Sequence, residues 1–364
     1  MRKSMDRTAR GVVCALASLA LPASLSSASA APAHEESPRI PFSERFHVTQ
    51  HGGITRAANT SITCKRAVRR AAAPCTAAQR GGAGTDGHYR RAYIDVDSDA
   101  RTYHSSSADL RIPAGSRVSY ARLYWGGNLR AGEQKPAKGH GRVLIAEQGG
   151  RYKKVLADTL TGHRTTTGAT DGFQASADVT ELVRKSGAGA YTVAQINVAT
   201  GHSAAGAWGG WTLVAAYRNS KQPLRRIALW DGFQSLGTHR RSFSVRLNGL
   251  RIPAHSHGRA GVVAYDGDRG RGKDALFVRA GRHRAQKVGD SANPANDVMN
   301  STITELGRQA KRRPACRNTL GFDSDVFDIS PALRSGGDRL AFRFTTRNPG
   351  YLLGALFLQT DTRH

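Results

Sequence analysis

The stretch Gly172-Phe173-Gln174-Ala175-Ser176-Ala177-Asp178-Val179-Thr180-Glu181-Leu182-Val183, followed by Gly187, Gly189 and the run Tyr191–Val198, decides the fold, because the chain repeats it. The counterpart reads Gly321-Phe322, then Asp328-Ile329-Ser330, Leu333, Gly336-Gly337 and the run Leu340–Thr345. In each copy an Asp beside a Thr or Ser can cap one helical turn, and Pro331 stands where a first-turn proline is tolerated. Each copy then enters a further apolar run, Trp211–Tyr217 or Leu352–Gln359. Upstream, Leu123-Tyr124-Trp125-Gly126-Gly127 matches Val263-Ala264-Tyr265-Asp266-Gly267. The pattern marks a diverged internal duplication.

Outward from these copies, short β-branched and aromatic runs alternate with Gly, Asn and Asp turns, as in Val118–Trp125, Arg142–Ala146, Arg225–Trp230, Ser242–Leu247, Gly261–Tyr265 and Ala275–Val278. Run length and spacing predict an all-β chain with very little helix, built as two tandem β-sandwich, jelly-roll-like lobes. The first lobe is expected over residues 46–219 and the second over 220–364, joined near Asn219-Ser220-Lys221-Gln222-Pro223, with a flexible segment over 31–45.

Residues 1–30 stand outside this organisation. A basic start (Arg2, Lys3, Arg7, Arg10), an apolar stretch Gly11–Leu21 and the small residues Ala28-Ser29-Ala30 predict a secretory signal cleaved after Ala30. No apolar run approaches the roughly 20 residues needed to span a bilayer, so no transmembrane segment is expected. The 364 residues carry a formal charge of +27, and the signal accounts for only a small part of it. Basic groups are scattered, including Lys65-Arg66, Arg225-Arg226, Arg240-Arg241 and Lys311-Arg312-Arg313, without a helix-turn-helix, zinc finger or RNP-type strand. No specific nucleic-acid partner is therefore expected; an exported basic surface suits anionic cell-wall polymers or glycans.

Export makes disulfides permissible, and Cys64 and Cys75 are close enough in sequence to close a local loop, leaving Cys316 as a free thiol or an alternative partner. Asp95, Asp97 and Asp99 alternate, which on a strand would put three carboxylates on one face; calcium or nearby arginines such as Arg90, Arg91 and Arg101 would have to neutralise them. Calcium is thus the one candidate cofactor. Tyr124, Trp125, Trp208, Trp211 and Trp230 offer flat faces to sugars, but Tyr124 and Trp211 suit an inter-sheet core. Trp208, in its glycine-flanked loop, and Trp125 are the candidate ligand-binding aromatics. No catalytic residue is assigned: the histidines are scattered, the pair His255 and His257 lies in a polar loop, and no Gly-x-Ser-x-Gly occurs. A glycoside hydrolase with unassigned Asp or Glu residues is the alternative to a non-catalytic binding protein.

The ordered motifs Gly53-Ile54-Thr55, Asn59-Thr60, Cys64 with Cys75, Tyr93-Ile94-Asp95-Val96-Asp97, Ala121-Arg122-Leu123-Tyr124-Trp125-Gly126-Gly127, Gly210-Trp211-Thr212-Leu213-Val214, Asp231-Gly232-Phe233, Asn293-Pro294-Ala295-Asn296 and Gly321-Phe322-Asp323-Ser324-Asp325 run through nearly the whole mature chain. Together they resemble the amino-terminal module of a family of exported bacterial cell-surface proteins, in which the module often precedes tandem immunoglobulin-like repeats. The resemblance implies a secreted, cell-envelope-associated protein and supplies no activity. The sequence ends at Thr362-Arg363-His364 with neither such repeats nor a wall-sorting motif, so covalent anchoring is not expected.

Overall fold

The structure, a computed structural model, describes residues 41–133, 139–164, 170–270, 273–347 and 350–363. The expected signal over 1–30 and most of the segment 31–45 lie outside the described residues. Among the described residues helix is confined to the short α-helices Cys75–Gln79 and Thr180–Ser186 and two 3-10 turns, Asp86–His88 and Ser330–Leu333.

Sixteen strands form two matching sets of eight. The first set is β1 (Ser43–Thr60), β2 (Ser105–Leu110), β3 (Arg117–Asn128), β4 (Arg142–Glu147), β5 (Lys153–Leu156), β6 (Gly172–Asp178), β7 (Gly189–Ala194) and β8 (Gly209–Arg218). The second is β9 (Leu224–Leu236), β10 (Ser242–Leu247), β11 (Gly258–Tyr265), β12 (Asp274–Ala280), β13 (Gln286–Val288), β14 (Phe322–Asp328), β15 (Leu340–Thr346) and β16 (Tyr351–Asp361). In the first set the sheet β1-β8-β3-β6 faces the sheet β2-β7-β4-β5; in the second, β9-β16-β11-β14 faces β10-β15-β12-β13. Each set is a jelly roll by its strand order, and the two orders are identical.

Alternation within the strands builds three cores. Leu123, Trp125, Trp211 and Leu213 turn towards Val143, Ile145, Tyr191 and Val193 of the first small sheet. Ala228, Val262, Leu356 and Leu358 turn towards Leu276, Val278, Phe342 and Phe344 of the second. The opposite faces of the two large sheets meet in a third core that includes Tyr124, Val214, Leu229, Val263, Phe322 and Phe357. Across this junction Tyr124 donates to Asp231 Oδ2 at 2.8 Å, and Arg45 and Arg122 approach the same carboxylate at 2.9 and 3.4 Å.

The two sets, which divide between Arg218 and Leu224, are hydrogen-bonded to one another. Strand β1 belongs to both halves: Ser43–His51 pairs with β9, and Gly52–Thr60 pairs with β8. The crossover falls at Gly52, where φ is +142° and an added Cβ would stand 2.0 Å from the Tyr217 carbonyl oxygen, so only glycine fits. The strand also begins inside the segment expected to be flexible, with Ser43 opposite Asp231. Residues 219–223 form a pinned turn in place of a loose linker: Asn219 Nδ2 donates to Ala114 O and Ser116 Oγ, and its amide donates to His51 O. A further strand, Arg312–Arg313, lends the second half's chain to the first small sheet by pairing with β2.

Candidate functional site

A recess opens where the two large sheets part, beside the third core. It is a groove of about 610 Å³. Its wall comes from Ile54, Thr55 and Arg56 of β1, Asp109 and Arg111 around the end of β2, Arg259 of β11, and the hairpin segment carrying Glu305, Arg308 and Lys311. A second recess of about 300 Å³ adjoins it through shared Arg259, Leu306 and Gln359, and contains Arg225 and His257.

Charge in the larger groove is unbalanced. Lys311 pairs with Asp109 at 2.6 Å and Arg259 with Glu305 at 3.4 Å, which uses both carboxylates. Arg56, Arg111 and Arg308 are left without a carboxylate partner among the described residues. Arg111 and Arg308 are exposed at the rim. Arg56 is only 4% exposed, since Ile54, Arg56 and Ala58 share the face that enters the inter-sheet core. Its Nη2 donates to the backbone oxygens of Thr304 at 2.6 Å and Ser324 at 2.8 Å, while Nε has no partner. Burial lowers the Arg56 pKa, with Asp325 and Glu305 pulling the other way. Burial and then the neighbouring Arg56 bring Arg312 down to about 10, and burial raises Asp325 to about 7. Arg56 is the buried cation of the lining, Arg312 and Asp325 lying outside it, and a partly desolvated cation favours the approach of an anion.

The residues singled out in the sequence lie elsewhere. Trp125 and Trp208 are fully buried, which removes both as sugar-stacking faces. Trp125 turns into the first core and donates to His140 O at 2.8 Å. Trp208 packs on Tyr265 in the inter-sheet core with ring centroids 5.8 Å apart, because the glycine-flanked loop plugs the interior. The Asp95–Asp99 segment is a loop following the strand Tyr89–Tyr93 and forms no strand face. Its three carboxylates are taken up by protein donors: Asp95 accepts from Ser105 Oγ at 2.8 Å, Asp97 from the Asp99 amide and Tyr152, and Asp99 from Arg101. The bonds from Arg101 hold the Asp99 carboxyl down at about 2. Arg91 turns to the carbonyls of Ile62, Thr319 and Leu320 and takes no part. Among the described residues no three His, Cys, Asp or Glu side chains gather to hold a metal ion, so the calcium candidate at Asp95, Asp97 and Asp99 is corrected. The disulfide Cys64–Cys75 is present and Cys316 is free.

Sequence reasoning missed Arg56, Arg111, Arg259 and Arg308 because the groove joins positions some two hundred residues apart. Only Lys311 lay in a noted basic group. The available signal was Arg56 itself, a lone cation on the otherwise apolar face Ile54, Arg56, Ala58.

No helix of the described residues is long and apolar enough to cross a membrane. No protein-family model and no curated protein matches the chain. A solved structure titled "Crystal Structure of the STIV MCP" is similar over 70% of this chain and 91% of that chain, at 7% identity and a TM-score of 0.20, a likeness too loose to inform fold or function.

Proposed function

We propose that this is a secreted, non-catalytic binding protein of the bacterial cell envelope whose basic groove contacts anionic wall polymers or glycans. The observation that carries the reading is the three arginines, Arg56, Arg111 and Arg308, that line one groove without an ion pair among the described residues. Most of the formal charge of +27 lies beyond residue 30 and supplies long-range attraction to such polymers, and the groove supplies a place of contact. Retention of the purified protein on isolated cell wall across a salt series tests this. Strong retention at low salt, falling steeply as salt rises, is expected. The exposed double variant Arg111→Ala/Arg308→Ala should lose most of that retention with an unchanged melting temperature. Absence of retention at low salt would overturn the reading.

A further inference from the structure

We propose that the floor of the groove is a site for one tetrahedral oxyanion, a phosphate monoester or diester, received by Arg56 from below and by Arg111 and Arg308 at the rim. The inference deepens the envelope-polymer reading and rests on it only for the source of the phosphate.

Arg56 provides the built part of the site. A guanidinium buried in a protein interior ordinarily carries a carboxylate partner, because an unpaired buried charge is costly. Arg56 has two backbone carbonyls on one nitrogen, no hydrogen bond on Nε, and a side chain that lines the groove. Both carboxylates lining the groove are already committed to Lys311 and Arg259. The Arg312 guanidinium, also buried, adds positive potential behind Arg56.

The arrangement of donors selects the ligand class. A planar carboxylate is satisfied by a single bidentate arginine fork, whereas a phosphate group presents oxygens in several directions and takes donors from several sides. Here the three arginines without an ion pair reach the groove from three separate pieces of chain: the middle of β1, the residue after β2 and the Thr304–Gln309 hairpin. Donors supplied from several segments suit a tetrahedral group. The neighbouring recess shares Arg259 and gives a chain carrying the phosphate room to continue, although Asp328 and Asp361 also line it and Asp361 pairs with Arg225 at 3.2 Å.

Titration of 15N-labelled protein with inorganic phosphate, exchanged for chloride at constant ionic strength, reads the site through arginine Nε–H signals. The Arg56 signal, identified by its absence in Arg56→Lys, should shift saturably. Arg111→Ala/Arg308→Ala should weaken the binding by roughly tenfold or more, as expected for lost hydrogen bonds to a charged group. If Arg56→Lys fails to fold, that exposed double variant carries the comparison, with melting temperature as its folding control. A poly(glycerol phosphate) chain and inorganic phosphate distinguish the sources: tighter binding per phosphate by the chain assigns the site to a polymer diester, and tighter binding of the ion assigns it to free phosphate. Polygalacturonate should leave Arg56 unmoved. Equal binding of that polycarboxylate, or no saturable shift with either phosphate probe, overturns the proposal even if wall retention persists. Phosphate binding without wall retention overturns the polymer reading and leaves the site standing.

Discussion

Asp274 is a carboxyl group buried at the start of β12, where its Oδ1 accepts hydrogen bonds from the amides of Val298 at 2.7 Å and Met299 at 2.9 Å. Burial outweighs those two bonds and, with Asp297 nearby, raises its pKa to about 7. Asp86 and Asp323 are displaced in the same direction by burial. A folded-state pKa above the unfolded one means that the folded protein holds the proton more tightly. The resulting stability is complete below about pH 4 and is lost as pH rises through 7. Asp274→Asn keeps an oxygen for both amides and cannot ionise. It should therefore melt like the wild type near pH 3.5 and be more stable at pH 8, by an amount on the order of 3 kcal/mol. Thermal melts at the two pH values check this, and a variant less stable at both would refute it. Residue identity alone did not announce these roles. An aspartate in the alternating Asp95, Asp97, Asp99 looks more like a ligand than Asp274 does, and burial, which a sequence does not display, reversed the order of interest.

At the scale of elements, the repeated Asp-(Val/Ile)-(Thr/Ser) signature acts the same way twice. Asp178 Oδ1 accepts from the Thr180 amide at 2.8 Å, and Asp328 Oδ1 from the Ser330 amide at 2.9 Å. Val179 donates through its amide to Ala121 O and Ile329 to Gly258 O, both at 3.0 Å. The hydroxyls then return the contact, Thr180 Oγ1 accepting from Ala121 N at 2.9 Å and Ser330 Oγ from Gly258 N at 3.1 Å. Short and degenerate as it is, the motif fixes how a strand end locks onto its neighbour, which is why the duplication could be read. The upstream match was less well placed. Arg122 pairs with Asp178 and Arg259 with Asp328, which puts Val262, not Tyr265, at the position equivalent to Trp125. Strand β1 was not anticipated, since polar residues occupy both faces of Ser43–His51 and the chain changes sheets at Gly52. Thr180→Val and Ser330→Ala each strand a backbone amide, so each should cost roughly 1–2 kcal/mol in denaturant unfolding. Lying in separate halves, the two losses should add within about 0.5 kcal/mol. Thr180→Ser should be close to neutral.

For the whole molecule, fold class was legible because strand length and turn spacing are local, while the groove was not, because it exists only once β1, β11 and the Thr304–Gln309 hairpin meet. The same long-range joining bears on how the molecule unfolds. Two jelly rolls in tandem would ordinarily be expected to melt as two units. Here β1 is hydrogen-bonded into both, Arg312–Arg313 crosses back to β2, and the large sheets bury Tyr124, Leu229, Tyr265, Phe322 and Phe357 between them. Opening either half would expose that third core and strip β1 of one partner, so neither half has a stable state without the other. Calorimetry should accordingly show one transition, with the calorimetric and van't Hoff enthalpies equal. Tryptophan fluorescence gives a separate check, because Trp125 and Trp211 sit in the first core and Trp230 in the second. Trp230→Phe leaves emission mainly from the first half and the inter-sheet core, and its melting curve should coincide with loss of far-UV ellipticity from the whole chain. A fluorescence midpoint several degrees from the ellipticity midpoint, or two calorimetric peaks, would show that the halves are thermodynamically separate despite the shared strand.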